Sequence, residues 1–133
     1  MTPPTNPLTP GQLLAALRAW ARGSLTAEAA VELLATWNDG YWINCMTVKP
    51  VRFGVTYTDD PEIVFGDTPL AEIDWRALSR RRITASGGER AILLIAAAIG
   101  GDTPVDLGSE LARLGEHGIA CVLAAIRHVG GVQ

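Results

Sequence analysis

The chain has 133 residues, a formal net charge of −3, and 48% hydrophobic and 19% charged residues. That length suits one domain that buries roughly two-thirds of its unfolded surface without a disulfide or metal, and the apolar fraction excludes a disordered chain. A slightly acidic balance supplies no field that would gather nucleic acid, so that partner is unlikely from the outset.

Pro3, Pro4, Pro7 and Pro10 make the start extended, and residues 1–8 are expected to form a flexible tail before one globular domain over residues 9–131. No basic stretch followed by an apolar core marks a secretory signal there. The longest apolar run, Ala91–Ile99, falls short of the about 20 residues that cross a bilayer. A soluble, cytoplasmic protein with no membrane partner is expected. Cys45 and Cys121 are expected as reduced, mostly buried thiols.

Helix starts are marked by Thr9-Pro10, Thr68-Pro69 and Thr103-Pro104. A Thr side chain accepts the orphan N–H groups of a first turn, and Pro at the first helical position gives up no hydrogen bond. Thr9 and Gln12 make a capping box, and a first helix is predicted from Pro10 to Arg22, with Leu13, Leu14, Leu17, Trp20 and Ala21 inward and Gly23 just beyond. The second begins near Thr26, carries Glu28 and Glu32 in its early turns, turns Ala30, Val31, Leu33, Leu34 and Trp37 inward, and stops at Asn38-Asp39-Gly40. The short link makes the two an antiparallel hairpin.

Tyr41–Val48 and Val51–Thr58 are rich in β-branched and aromatic residues and flank Lys49-Pro50, which predicts two short strands, with Ile63–Phe65 a third. Phe53, Val55 and Tyr57 share the buried parity; Arg52, Thr56 and Thr58 share the wet one. A helix over Pro69–Arg81 would turn Leu70, Ile73, Ala77 and Leu78 inward. The next opens at Ser86-Gly87-Gly88-Glu89 and runs to Ile99; it is apolar nearly all round, so it should be the central one, ended by Gly100-Gly101. Thr103-Pro104 starts a short helix carrying Leu107, Leu111 and Leu114, and Glu116–Val129 forms the last. The fold class expected is α+β and predominantly helical: an N-terminal helical hairpin, a small antiparallel β-element at about residues 41–65, and a C-terminal helical cluster.

Ser86-Gly87-Gly88-Glu89-Arg90-Ala91 resembles the signature loop of ABC-type and chromosome-maintenance ATPases, where a helix N-terminus meets a γ-phosphate. Such a loop works beside a P-loop and a metal-binding carboxylate. This chain has no G-x-x-x-x-G-K-[ST], and its only lysine, Lys49, precedes Pro50. Ser86 and Glu89 read instead as a second capping box, and ATP is not expected to bind.

Three constellations remain. Trp37, Asn38, Tyr41 and Trp42 surround a turn and suit either a flat ligand or the corner of a core. His117, Cys121 and His128 lie within about 40° on the last helix, opposite Ile119, Val122, Leu123, Ile126 and Val129. His117 and Cys121 are half a soft-metal site, but His128 lies about 10 Å further along the axis. No metal is therefore assigned, nor a catalytic Cys–His pair, since no third group orients one. Finally, six acids and no base occupy residues 59–74, ahead of Arg76, Arg80, Arg81 and Arg82. Glu72 and Arg76 would pair at i, i+4 on a helix, and the arginines do not line one face, so they offer at most a weak nucleic-acid contact.

Glu28-Ala29-Ala30-Val31-Glu32-Leu33-Leu34 followed by Trp42-Ile43 resembles the opening of a group of small hypothetical proteins from actinobacteria and their mobile elements. Asp74-Trp75, Ser86–Glu89, Pro104–Leu107, Ala125–His128 and Gly130 resemble that group's C-terminal half, so the likeness spans roughly residues 16–131. It implies no activity, cofactor or catalytic residue. Asn44–Val48 replaces a charged, Phe-containing segment of the group; where that segment holds a partner, this chain's partner differs.

Together these features predict a non-enzymatic cytosolic interaction or accessory protein that works with a protein partner or as a homo-oligomer, without a cofactor. The alternatives are a small-ligand domain or small enzyme with a pocket near Trp37, Tyr41 and Trp42, and a weak nucleic-acid binder through residues 76–82.

Overall fold

Local capping sets the helical frame. The computed structural model describes residues 7–64, 66–80 and 83–131; Phe65, Arg81 and Arg82 lie outside them. Thr9 accepts the Gln12 N–H at 3.2 Å while the Gln12 side chain accepts the Thr9 N–H at 2.9 Å, which opens α1 (Pro10–Ala21). Gly23, at φ +93°, makes the left-handed turn, and Ser24 caps α2 (Leu25–Thr36) two residues earlier than Thr26 would. Leu13, Ala16, Leu17 and Ala21 are buried where α1 packs on β2 and α2, and Arg18 grips Glu32 through two 2.8 Å bonds. The expected hairpin forms, but Trp20 is 48% exposed rather than inward.

Asn38, Asp39 and Gly40 take consecutive positive φ angles of 49°, 54° and 78°. Asn, Asp and Gly are the residues that tolerate this region, and the reversal they make ends α2 as expected. The next element is a helix, α3 (Tyr41–Val48), not the predicted strand. Its buried residues, Trp42, Ile43 and Met46, fall at helical spacing, and packing of that face overrides the β-propensity of the segment.

Of the β-element expected at about residues 41–65, the strand within Val51–Thr58 forms, and its partner comes from further along the chain. Gly54, at φ +69°, turns into β1 (Val55–Thr58), which pairs antiparallel with β2 (Leu70–Ile73) in the register Val55↔Ile73 to Thr58↔Leu70. Ile63 forms no strand, and the helix expected from Pro69 shortens to α4 (Trp75–Arg80), whose first turn is held by Asp74 accepting the Ala77 N–H at 3.1 Å. Phe53 and Val55 are buried as their parity requires, but so is Thr58, whose hydroxyl accepts the Asp60 N–H.

Ser86 and Glu89 form the second capping box and open α5 (Gly87–Gly101), whose Ala91, Ile92, Leu93, Ile95, Ala96 and Ala97 are buried. It is the central helix, packed on α2 and α4. It runs through Gly100-Gly101 and stops at Asp102, φ +55°. Thr103 is not a cap; Asp106 caps α6 (Leu107–Leu111), and α7 (Glu116–Val129) comes last. Among the described residues the fold is thus α+β and predominantly helical, with seven α-helices around one two-stranded sheet. No helix among them is long and apolar enough to cross a membrane.

Candidate functional site

α7 turns its smaller residues inward. Gly118, Cys121, Val122 and Ala125 are buried, and α7 packs chiefly on α2. Small side chains let two helix backbones approach, and Cys121 and Ala125 stand beside Leu33 and Thr36 of α2, while a Cβ on Gly118 would meet Leu114, just before α7, at 3.1 Å. The polar stripe of His117, Cys121 and His128 therefore borders the α2–α7 interface instead of lying outside the core. Leu123 and Ile126, expected inside, are 54% and 52% exposed.

The two histidines sit at opposite ends of this antiparallel helix pair. His117 Nε2 accepts the Asn38 N–H at 3.4 Å and lies 3.7 Å from Cys121 Sγ. Its lone pair is engaged by the backbone, so it is poorly placed as a base for the buried thiol. His128 Nε2 meets Glu28 Oε1 at 2.9 Å, and the Gly23 N–H donates to Glu28 Oε2 at 3.0 Å. These bonds, the one with His128 first, hold the Glu28 carboxyl below its ordinary range. No group of three or more His, Cys, Asp or Glu among the described residues is arranged to hold a metal ion.

The aromatic turn is divided between surface and core. Trp42 is 1% exposed, and its Nε1 donates to the Glu89 carbonyl at 2.9 Å, so its indole belongs to the core. Trp37, Tyr41, Trp42 and Phe53 form an edge-to-face series with successive centroids 5.9, 5.1 and 5.9 Å apart. Asn38 is exposed; Trp37 and Tyr41 are half-buried. Burial, with Cys45 and Glu89 nearby, pushes the Tyr41 phenol up to about 12. An unfolded tyrosine ionises at about 10, so between these values the unfolded chain loses a proton that the native one keeps. Native stability is expected to fall as pH rises through that window. Tyr41→Phe should flatten the fall in denaturant titrations at successive pH values; an unchanged slope would refute the assignment.

Arg76 and Arg80 are exposed on α4, and the rest of the proposed basic patch, Arg81 and Arg82, lies outside the described residues. Glu72 is on a strand and does not pair with Arg76. Ion pairs among the described residues include Arg18–Glu32 and His128–Glu28.

Two features escaped the sequence reading. Glu110 is 8% exposed on α6, and its Oε2 has no hydrogen-bond partner among the described residues. The other is an open groove of ≈190 Å³ between α5, α6 and α7. Among the described residues every side chain lining it is apolar, with Ile99, Val105 and Leu107 on one side and Val122 and Ile126 on the other. Leu107 is exposed at its rim. Exposed apolar surface of this kind suits contact with an apolar partner surface or ligand. Helix caps and periodicity give no signal for the groove, because it depends on how three helices meet.

Comparison with known proteins finds no family model, no curated protein and no solved structure that matches the chain.

Proposed function

We propose that this chain is a non-enzymatic interaction protein that pairs with a second copy of itself through the outer face of α7 and the groove beside it. The observation that carries the reading is the exposure of Leu123 and Ile126 beside a groove with apolar walls. The pattern of α7 points to the occupant. Glu116, Ala120, Leu123 and Arg127 fall within about 60° on the outer face. Acid stands at one end of that strip and base at the other. An antiparallel copy brings Glu116 opposite the second Arg127 and sets Leu123 over the second Ala120, close to the two-fold axis. Such an isologous contact closes on itself, as dimers do. Opposite charges at its ends fix the direction of pairing.

Sedimentation or light scattering should find a dimer at tens of micromolar. Leu123→Glu places two carboxylates near the axis and should weaken dimerisation by at least about 100-fold with unchanged helical content. Glu116→Arg should weaken it, and Glu116→Arg with Arg127→Glu should restore it. A wild-type monomer at millimolar concentration, or a Leu123→Glu dimer, would overturn the reading.

A further inference from the structure

A second concavity lies on another side of the molecule, between α1, β2 and the junction of α4 with α5. It has a volume of ≈190 Å³, and Trp20, Val31, Glu72, Trp75 and Gly100 are among its walls. Among the described residues Glu72 is the one charged residue lining it, and two of the chain's four tryptophans line it too. From these walls we propose that the pocket is a binding site for an alkylated ammonium group.

Three observations support this. The first is the state of Glu72, a half-buried carboxylate that makes no ion pair or side-chain hydrogen bond among the described residues. Its cross-strand partner is Thr56, which supplies no charge. Arg18, the cation of nearby α1, is held bidentately by Glu32. Glu72 shares the outer face of β2 with exposed Thr56, so its carboxylate meets a ligand at the mouth of these walls, where a cation that brings its own apolar body suits both.

The second is the aromatic content. Indole faces attract cations, Trp most strongly, and the attraction grows where water is displaced. Trp20 remains 48% exposed although it stands on an amphipathic helix, so its ring is accessible to a ligand.

The third is how Trp75 is held. A Cβ built on Gly100 would lie 2.8 Å from Trp75 Cε2 and 2.9 Å from Nε1, and one built on Gly101 would lie 2.9 Å from Cγ. The five-membered ring is seated across the Gly100-Gly101 backbone, which fixes this wall in advance of binding. A bare ammonium is too strongly hydrated to leave water for such walls. A methylated one carries the same charge on an apolar surface and fits both the rings and Glu72.

The source can be a free small quaternary amine or a methylated lysine side chain, and the test separates them. The full-length chain is titrated by calorimetry with choline, with its neutral isostere 3,3-dimethylbutan-1-ol, and with a short peptide carrying trimethyllysine. Binding of choline at least about 10-fold tighter than the isostere supports the site. Tighter binding of the peptide than of choline assigns the source to protein; the reverse assigns it to the free amine. Glu72→Gln should abolish the preference for the cation, and Trp20→Ala should weaken choline by about 3–30-fold. Both substitutions are at accessible side chains, and thermal unfolding checks that each variant folds. Equal binding of choline and isostere, no binding of either choline or the peptide, or affinities unmoved by both substitutions would overturn the proposal.

Discussion

Trp42→Ala is expected to lower the unfolding free energy by about 3–5 kcal/mol, the range for truncating a large buried aromatic. The side chain is 1% exposed, and its ring meets Tyr41 at 5.1 Å and Phe53 at 5.9 Å between centroids. Its N–H reaches the Glu89 carbonyl, so it joins α3 to the first turn of α5. A domain of this size has about 5–15 kcal/mol in total, so the loss takes a fifth or more of its stability. Trp42→Phe keeps much of the ring packing and removes the hydrogen bond, which should cost about 1–2 kcal/mol for the bond beyond any loss of volume. Urea unfolding of both variants separates packing from hydrogen bonding. A loss under about 1 kcal/mol for Trp42→Ala would show that α3 does not carry Trp42 into the core.

The same residue shows how far the sequence could be read. Trp42, Ile43 and Met46 are as compatible with a strand by composition as with a helix by spacing, and a short segment leaves periodicity little to decide. Helix starts were readable because a cap is a bond between residues three apart, as Thr9–Gln12 and Ser86–Glu89 are. Strand β2 was not, since Leu70–Ile73 is a strand only through its pairing with Val55–Thr58. Thr68-Pro69 before it carried a local helix signal that the long-range ladder outweighed.

The face of α7 was misread for a related reason. A reading by hydrophobicity buries the largest apolar side chains, Leu123 and Ile126. Close approach to α2 instead selects Cys121 and Ala125 for the inside, and Leu114 crowds Gly118. The leftover large residues then mark the proposed interface, so the error and the candidate site have one physical origin. His117, Cys121 and His128 share one side of α7, but the partners of the two histidines, Asn38 in the turn after α2 and Glu28 on α2, are connected to them by no spacing rule.

Gly100 and Gly101 were read as a helix stop; their structural role makes the second large prediction. Neither has a positive φ, so conformational freedom does not explain them. Replacing a helical glycine by alanine ordinarily stabilises, by up to about 1 kcal/mol. Gly11 in α1 is such a site: a Cβ there meets nothing within 4 Å, and Gly11→Ala should gain about 0.5–1 kcal/mol. Gly101→Ala should have the opposite sign. Its methyl would overlap Trp75 Cβ, an atom fixed by the backbone at the start of α4, so no side-chain rotation relieves it. Overpacking costs about 1–3 kcal/mol, and the upper part of that range applies because a helix must move. Overpacking therefore exceeds propensity, and a net loss of about 2 kcal/mol is expected in urea unfolding. Trp75→Ala retains the offending Cβ, so it should not rescue Gly101→Ala, whereas it should partly relieve Gly100→Ala, whose contacts are the distal ring atoms and Ala30 Cβ. A Gly101→Ala protein as stable as the wild type would show that α4 does not rest on the end of α5. It would also remove the pre-formed tryptophan wall on which the alkylammonium site depends.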